Sequence, residues 1–350
     1  MNHRTARGLP PSATALSAAA LATLLAGSTV AAEDPCQPRD ELSTCFAADN
    51  LWPHAGGGRW SSLAPTTTTT PESLAVSFFN AYLHQPVGLR IPSPDPEGTT
   101  VYAVEHVLSS TLALALGITD DLQASLALPF ALYQHGAGTA DLTGAEDGLP
   151  RSALGDLRFG ATVAWLARRP VGVDGPALGT RFEMTLPTGQ ETGFVSTPSA
   201  VYAPGATFDY RLGDLSLGAD LGLRLRRPVD FANIQLGNQL SASLGASYDV
   251  LDDGWLAVNL EAFALVTLAH QADIVRQPDG STAAEESGPV HAPAEWLLSV
   301  STAGLLDGRF RASLGGGSFI PTADELAVTT PAFRVVAALH FVPQRSSEAP

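Results

Sequence analysis

A chain of 350 residues with 35 acidic side chains against 19 basic ones carries a formal net charge of -16. Lysine is absent, so every basic side chain other than histidine is arginine. That balance excludes nucleic acid as a partner, because phosphate backbones are held by clustered cations, and 33 glycines with 26 prolines argue against a helical protein.

The first predicted element is a secretory signal over residues 1–32. Arg4 and Arg7 form a positive start, Ala13 to Ala26 an apolar stretch, and Val30-Ala31-Ala32 supplies small residues for cleavage before Glu33. After it, no window of about 18 to 20 residues is uniformly apolar, so no transmembrane helix is expected.

Residues 33–72 differ from all that follows. They hold Cys36, Cys45, Trp52, Trp60, the run Gly56-Gly57-Gly58 and a threonine run, Thr66 to Thr70, that ends at Pro71. The segment reads as a periplasmic lead segment with a Thr-rich linker. It sits in the periplasm, folds back into the barrel as a plug, or is a disordered leader. In an oxidising compartment Cys36 and Cys45 are expected to form a disulfide.

From Leu74 a period of two begins. Leu112, Leu114 and Leu116 share one face. Leu122, Leu126, Leu128, Phe130 and Leu132 follow, then Leu157, Phe159 and Ala161, then Leu178, Phe182, Met184 and Leu186. Phe208, Tyr210 and Leu212 stop at Gly213-Asp214, and Leu215 to Leu225 make the cleanest series. Further stretches are Leu236 to Tyr248, Leu256 to Leu260, Trp296 to Val300, Phe310 to Leu314 and Phe333 to Phe341, with a short tail over 343–350. Connections alternate in length. Those at 119–121, 213–214, 252–254 and 306–308 are very short, and the one at 168–177 is slightly longer. Those near 85–98, 133–153, 189–199, 227–233, 268–293 and 320–331 are mostly longer. Short periplasmic turns alternating with long extracellular loops, on an exported chain, imply an all-β fold. The expected architecture is a membrane-spanning antiparallel up-and-down β-barrel of about twelve strands over residues 73–342, in the outer membrane of a Gram-negative cell.

The opposite face of each strand is polar or small, and charge facing lipid near the midplane costs about 2–4 kcal/mol. By parity the lumen-lining candidates are Glu105, Asp156, Arg158, Arg181, Glu183, Asp209, Arg211, Asp220, Arg224, Glu261, Arg309, Arg311 and Arg334. They either line a passage or pair with one another as a salt-bridged interior. No phosphate loop, G-x-S-x-G, H-E-x-x-H or clustered metal ligands occur, so no enzyme, cofactor or metal site is expected. The eight histidines are scattered. His106 and His340 read as structural, facing the lumen or ending a strand.

Three short stretches carry a family resemblance: Gly155-Asp156-Leu157-Arg158-Phe159-Gly160, Leu128-Pro129-Phe130 with Tyr133-Gln134, and Leu186-Pro187-Thr188-Gly189. They resemble the outer-membrane β-barrel family of the phenol-degradation meta-pathway, transporter type, and the barrel portion of OmpA-type proteins. The peptidoglycan-binding domain of the latter has no counterpart before the chain ends. The terminal Phe341 resembles the signal read by the barrel-assembly machinery. The resemblance implies a channel or transporter for small molecules, hydrophobic ones included, with outer-membrane lipid and lipopolysaccharide as surroundings. The alternative is a structural or surface-interaction barrel with a closed lumen.

Overall fold

A computed structural model describes residues 36, 42–91, 99–139, 148–168, 173–231, 234–251, 255–268, 272–276, 282–286, 292–305, 309–321 and 328–343. The expected signal peptide, the tail beyond 343 and the turns at 252–254 and 306–308 lie outside the described residues.

Twelve long strands run up and down in chain order. They are β1 (Leu74–Ile91), β2 (Thr99–Gly117), β3 (Leu122–His135), β4 (Leu157–Leu166), β5 (Gly175–Leu186) and β6 (Val201–Leu212), followed by β7 (Leu215–Arg224), β8 (Gln239–Asp249), β9 (Leu256–Thr267), β10 (Ala294–Leu305), β11 (Phe310–Phe319) and β12 (Phe333–Phe341). Each pairs antiparallel with its neighbours in sequence, and β12 pairs with β1, Phe341 opposite Val76, so the sheet closes with no free edge. Closure is what permits a sheet to stand in lipid, because the next strand satisfies every N–H and C=O in the wall. Among the described residues no helix is long and apolar enough to cross a membrane.

The side-chain period sorts the two faces as the sequence implies. On β7, Leu217 and Leu221 are exposed on the outer wall, while Ser216 and Asp220 are buried inside. Leu221 is 56% exposed and Asp220 only 5%. A charge at Leu221 faces hydrocarbon, so Leu221→Arg is expected to cost about 2–4 kcal/mol or to block assembly. The check is the fraction of heat-modifiable, folded barrel recovered from outer membranes. Recovery equal to wild type would mean that this face does not meet lipid.

Aromatic side chains form two bands on the outer wall. Trp165, Tyr210, Tyr248 and Trp255 are exposed near the short turns, and Phe182, Tyr202, Tyr133, Trp296 and Phe333 near the long loops. Tyr202 and Tyr210 are eight residues apart on β6, which is roughly 26 Å of strand and about 20 Å along the axis at an ordinary tilt. That matches the apolar belt of an outer-membrane barrel, about 25 Å tall between its girdles.

The loop end is more built than its composition suggests. Of the segment 85–98, expected as a loop, residues 85–91 are strand, since β1 continues to Ile91, and residues 92–98 lie outside the described ones. Register shifts between His84 and Gly88 break the alternation there, while Leu89 still pairs with Val101. Residues 227–233 and 268–293 carry hairpins of their own, Val229–Phe231 with Ile234–Leu236 and Ala272–Arg276 with Thr282–Glu286. Leu236, which the alternation assigned to the next barrel strand, belongs to the first of these.

Barrel width decides what fills the middle. With strands about 4.8 Å apart and tilted about 40°, twelve enclose a cylinder roughly 24 Å across between backbones, against roughly 16 Å for eight. Eight-stranded barrels are filled by their own side chains. The additional width is about that of one extended chain with its side chains, and here one chain segment occupies it. Residues 42–72 run through the barrel from the loop end to the turn end. Leu42 bridges Phe231 at the loop end, and Pro71 bridges Gly117 at the turn end, immediately before β1.

Candidate functional site

The lead segment crosses the lumen on a ladder of polar contacts to the wall. At the turn end, Thr66 donates to Asp209, and Thr69 donates through both its N–H and its hydroxyl to Gln123. One turn higher, the Glu261 carboxylate accepts the backbone N–H of Ser61 at 3.0 Å, the N–H of Ser62 at 2.7 Å and the Ser62 hydroxyl at 2.7 Å. A carboxylate in such a cradle is satisfied without a cation. Arg59 pairs with Asp249, which Arg211 also meets at 3.0 Å. The Trp60 ring lies over the wall where Gly218 and Gly245 face each other on β7 and β8. A Cβ on Gly245 would stand 2.8 Å from that ring, so a side chain there displaces the tryptophan.

At mid-height the charges interlock. His54 sits 3.2 Å from Glu183. Glu183 also meets Arg158 at 3.6 Å and Arg181 at 3.7 Å. Arg181 forms a two-pronged pair with Asp220. Trp52 lies between two guanidinium groups, Arg224 at 4.0 Å and Arg158 at 4.9 Å from the ring centre, an arrangement that anchors an aromatic without an apolar pocket. Arg158 donates to the Pro53 carbonyl and Arg224 to the Asn50 carbonyl. Toward the loop end Arg334, 1% exposed, joins Asp49 of the lead segment at 2.6 Å to Glu295 of β10 at 2.8 Å.

At the loop end the lead segment packs through apolar rings. Phe46 meets Phe194 and Phe231 edge-on, with ring centres 5.2 and 5.0 Å apart. Phe194 follows a short turn over Glu191–Gly193, and Phe231 belongs to the loop hairpin, so the lead segment ties two loops together. Cys36 and Cys45 are disulfide-bonded, with Cα atoms 5.3 Å apart. The same short stretch is held by a hydrogen bond from Thr44 to the Glu191 carbonyl at 2.7 Å.

The motifs singled out in the sequence meet in space. Asp156 accepts from Gly189 N, Ser196 Oγ, Thr197 N and Thr197 Oγ1 at 2.6–3.0 Å. A Cβ on Gly189 would lie 2.7 Å from the Gly155 backbone, so the two glycines permit the contact. Asp156 therefore fixes the loop that carries Phe194, and Arg158, two residues on, grips the lead segment. Beside them lies a small cavity lined by Leu51, Trp52, Phe130 and Phe194 together with Asp49, Asp156 and Arg158.

Of the thirteen charged side chains expected inside, Asp156, Arg158, Glu183, Asp209, Asp220, Glu261 and Arg334 are buried there. Arg181, Arg211, Arg224 and Arg311 are partly exposed yet bonded within the lumen, Arg311 to the Gly57 carbonyl at 2.8 Å. Two stand elsewhere. Arg309 precedes β11 and is exposed, and Glu105 meets histidines near the loop end. His340 faces inward, accepting from or donating to Ser77 Oγ at 2.8 Å. His106 stacks on Tyr82 and His84 instead of entering the lumen. The sequence reading did not single out Asp49, His54, Arg59 and Glu295. Three of these lie in the aperiodic lead segment, where no parity assigns a face, and Glu295 opens its strand.

The profile of the family described as "Putative MetA-pathway of phenol degradation" matches residues 66–285, more than half of the chain. No curated protein sequence matches significantly. Among solved structures the barrel is similar to the COG4313 outer membrane channel from Pseudomonas putida F1, at 12% identity and a TM-score of 0.54, over 79% of this chain and 98% of that one. Matches at lower TM-scores include the toluene transporter TbuX of Ralstonia pickettii, with 9% identity, TM-score 0.41, and 79% and 90% of the two chains covered. The KdgM porin matches at 7% identity and TM-score 0.41, over 77% and 99%. The family profile, which spans more than half of the sequence, places the protein by descent: the chain belongs to the phenol-degradation MetA-pathway family.

Proposed function

We propose that the protein is an outer-membrane channel for small hydrophobic molecules, aromatic alcohols such as phenol among them, whose path is obstructed by its own residues 42–72. The observation that carries this reading is the cavity between the lead segment and the wall. Its lining sets the apolar Leu51, Trp52, Phe130 and Phe194 beside the polar Asp49, Thr111, Asp156, Arg158 and Thr197, which suits an aromatic body carrying a polar group. The family description supports the substrate class. The wide barrel supports a passage in preference to a solid interior, and the absence of any nucleophile–base arrangement in the motifs speaks for transport over catalysis.

Trp52 lines the cavity, so it reports occupancy. Titrating phenol into the purified full chain is expected to change tryptophan fluorescence saturably. The saturable part should vanish in Trp52→Phe and weaken in Arg158→Gln. A strictly linear response, identical in wild type and Trp52→Phe, would exclude the cavity as a binding site. The second reading is a closed structural barrel. It is favoured by the interlocked ion pairs around Arg158, Arg181, Glu183 and Asp220, and it requires that the chain stay non-conducting even when the lead segment is removed.

A further inference from the structure

Three histidines far apart in sequence stand side by side near the loop end of the barrel. In the antiparallel registers His84 faces His106, and His106 faces His135, across β1, β2 and β3. Directly opposed residues on one face of a sheet have Cβ atoms about 4.5–5.5 Å apart, close enough for two imidazoles to share one ion. The rings do stack, with centres 5.0 Å apart for His84 and His106 and 6.3 Å for His106 and His135. His84 Nδ1 and His106 Nδ1 are 3.2 Å apart, and two nitrogens on one tetrahedral zinc are separated by about 3.3 Å. Glu105 completes the group, its carboxylate 3.8 Å from His106 Nε2 and 3.9 Å from His135 Nε2. Tyr82 adds a hydroxyl 2.9 Å from His106 Nδ1.

The setting is accessible. The His135 side chain is 61% exposed and that of His106 31%. His84 packs on Phe333 of the loop-side aromatic band, with ring centres 4.9 Å apart, so the cluster lies at the level where the wall meets water.

We propose that His84, His106, His135 and Glu105 form a binding site for a first-row divalent transition-metal ion such as Zn²⁺. Neutral imidazole and carboxylate are borderline-to-hard donors that suit this class, whereas Mg²⁺ and Ca²⁺ prefer all-oxygen sets. The carboxylate also sets the sign of the ligand, since it repels a phosphate and attracts a cation. As placed, His106 presents Nδ1 to His84 and Nε2 to Glu105; imidazole χ2 angles have broad wells, so rotation of the stacked rings turns one nitrogen of each toward a common ion. Metal binding at His106 Nδ1 replaces its hydrogen bond to Tyr82. The inference is independent of the channel reading, because the cluster shares no residue with the lumen.

The test is calorimetric titration of Zn²⁺ into the untagged, folded full chain in detergent, with Mg²⁺ in excess. One ion per chain is expected. His106→Ala, which removes the shared ligand, should weaken binding by about tenfold or more. His135→Ala and Glu105→Gln should each weaken it by a smaller factor. His340→Gln, on the lumen side, should leave it unchanged. Heat-modifiable migration on gels verifies folding of each variant. Should His106→Ala fail to assemble, His135 keeps the question decidable, since its side chain is 61% exposed and its replacement removes only one ring contact at the surface. Zinc affinity that is the same in wild type, His135→Ala and Glu105→Gln would overturn the proposal, as would the absence of any binding.

Discussion

Deleting residues 33–62 is expected to leave the barrel assembled and to turn a nearly silent protein into one that gives steady conductance steps in planar bilayers. The wall survives because its strands bond to one another through a closed ring of antiparallel pairs and do not depend on the lead segment for any barrel pairing. What the deletion removes is the chain that fills the space between walls roughly 24 Å apart. It takes Trp52 from between Arg158 and Arg224, Arg59 from Asp249, and the Ser61–Ser62 cradle from Glu261. Water replaces these partners, so the wall charges stay solvated and their desolvation cost disappears along with their contacts. Because Arg158, Arg181, Arg224 and Arg311 face Glu183, Asp209, Asp220 and Glu261 in one lumen, the open pore should discriminate weakly between cations and anions. The measurement is single-channel recording of the folded deletion variant beside the full chain. A folded variant that remains non-conducting would mean that the wall side chains close the lumen unaided, which is the structural-barrel reading.

Replacing Arg334 should be the most damaging single change inside the barrel. The side chain is 1% exposed and holds two carboxylates, Asp49 at 2.6 Å and Glu295 at 2.8 Å. Removing one member of a buried ion pair leaves uncompensated charge, which costs about 3–5 kcal/mol, more than the pair itself contributes. Arg334→Ala is therefore expected to shift urea unfolding of the purified barrel by that amount and to loosen the lead segment at the loop end. Adding Glu295→Gln should restore part of the loss, because the second change removes one of the stranded charges. A double variant no more stable than the single one would show that the damage arises from lost packing around Arg334 and not from its charge.

The strand ladder was legible because a period of two survives whatever the barrel encloses. Leu217 and Leu221 outward with Ser216 and Asp220 inward follows from backbone geometry alone. Closure followed from the same pattern, since an exported run of alternating strands in lipid leaves no room for an edge. The loop end was less legible. Bulges between His84 and Gly88, one on each strand, interrupt the alternation before the original register resumes, so parity assigns no face across them. For the same reason Glu105 was assigned to the lumen and is found beside His106 and His135.

The sequence by itself determined an exported, twelve-stranded barrel with a mixed-charge inner face and a distinct, cysteine-bearing lead segment, because those properties are local or periodic. Only the tertiary structure decided where that segment goes. Asp49, Trp52, His54, Arg59 and the Ser61–Ser62 backbone carry no repeat, and their partners Arg334, Arg224, Glu183, Asp249 and Glu261 lie more than a hundred residues away. The histidine cluster was hidden in the same way: His84, His106 and His135 become neighbours only when three strands settle into one register. Pairing across a closed sheet is set by the sum of hydrogen bonds around the ring, and no single stretch of chain records that sum.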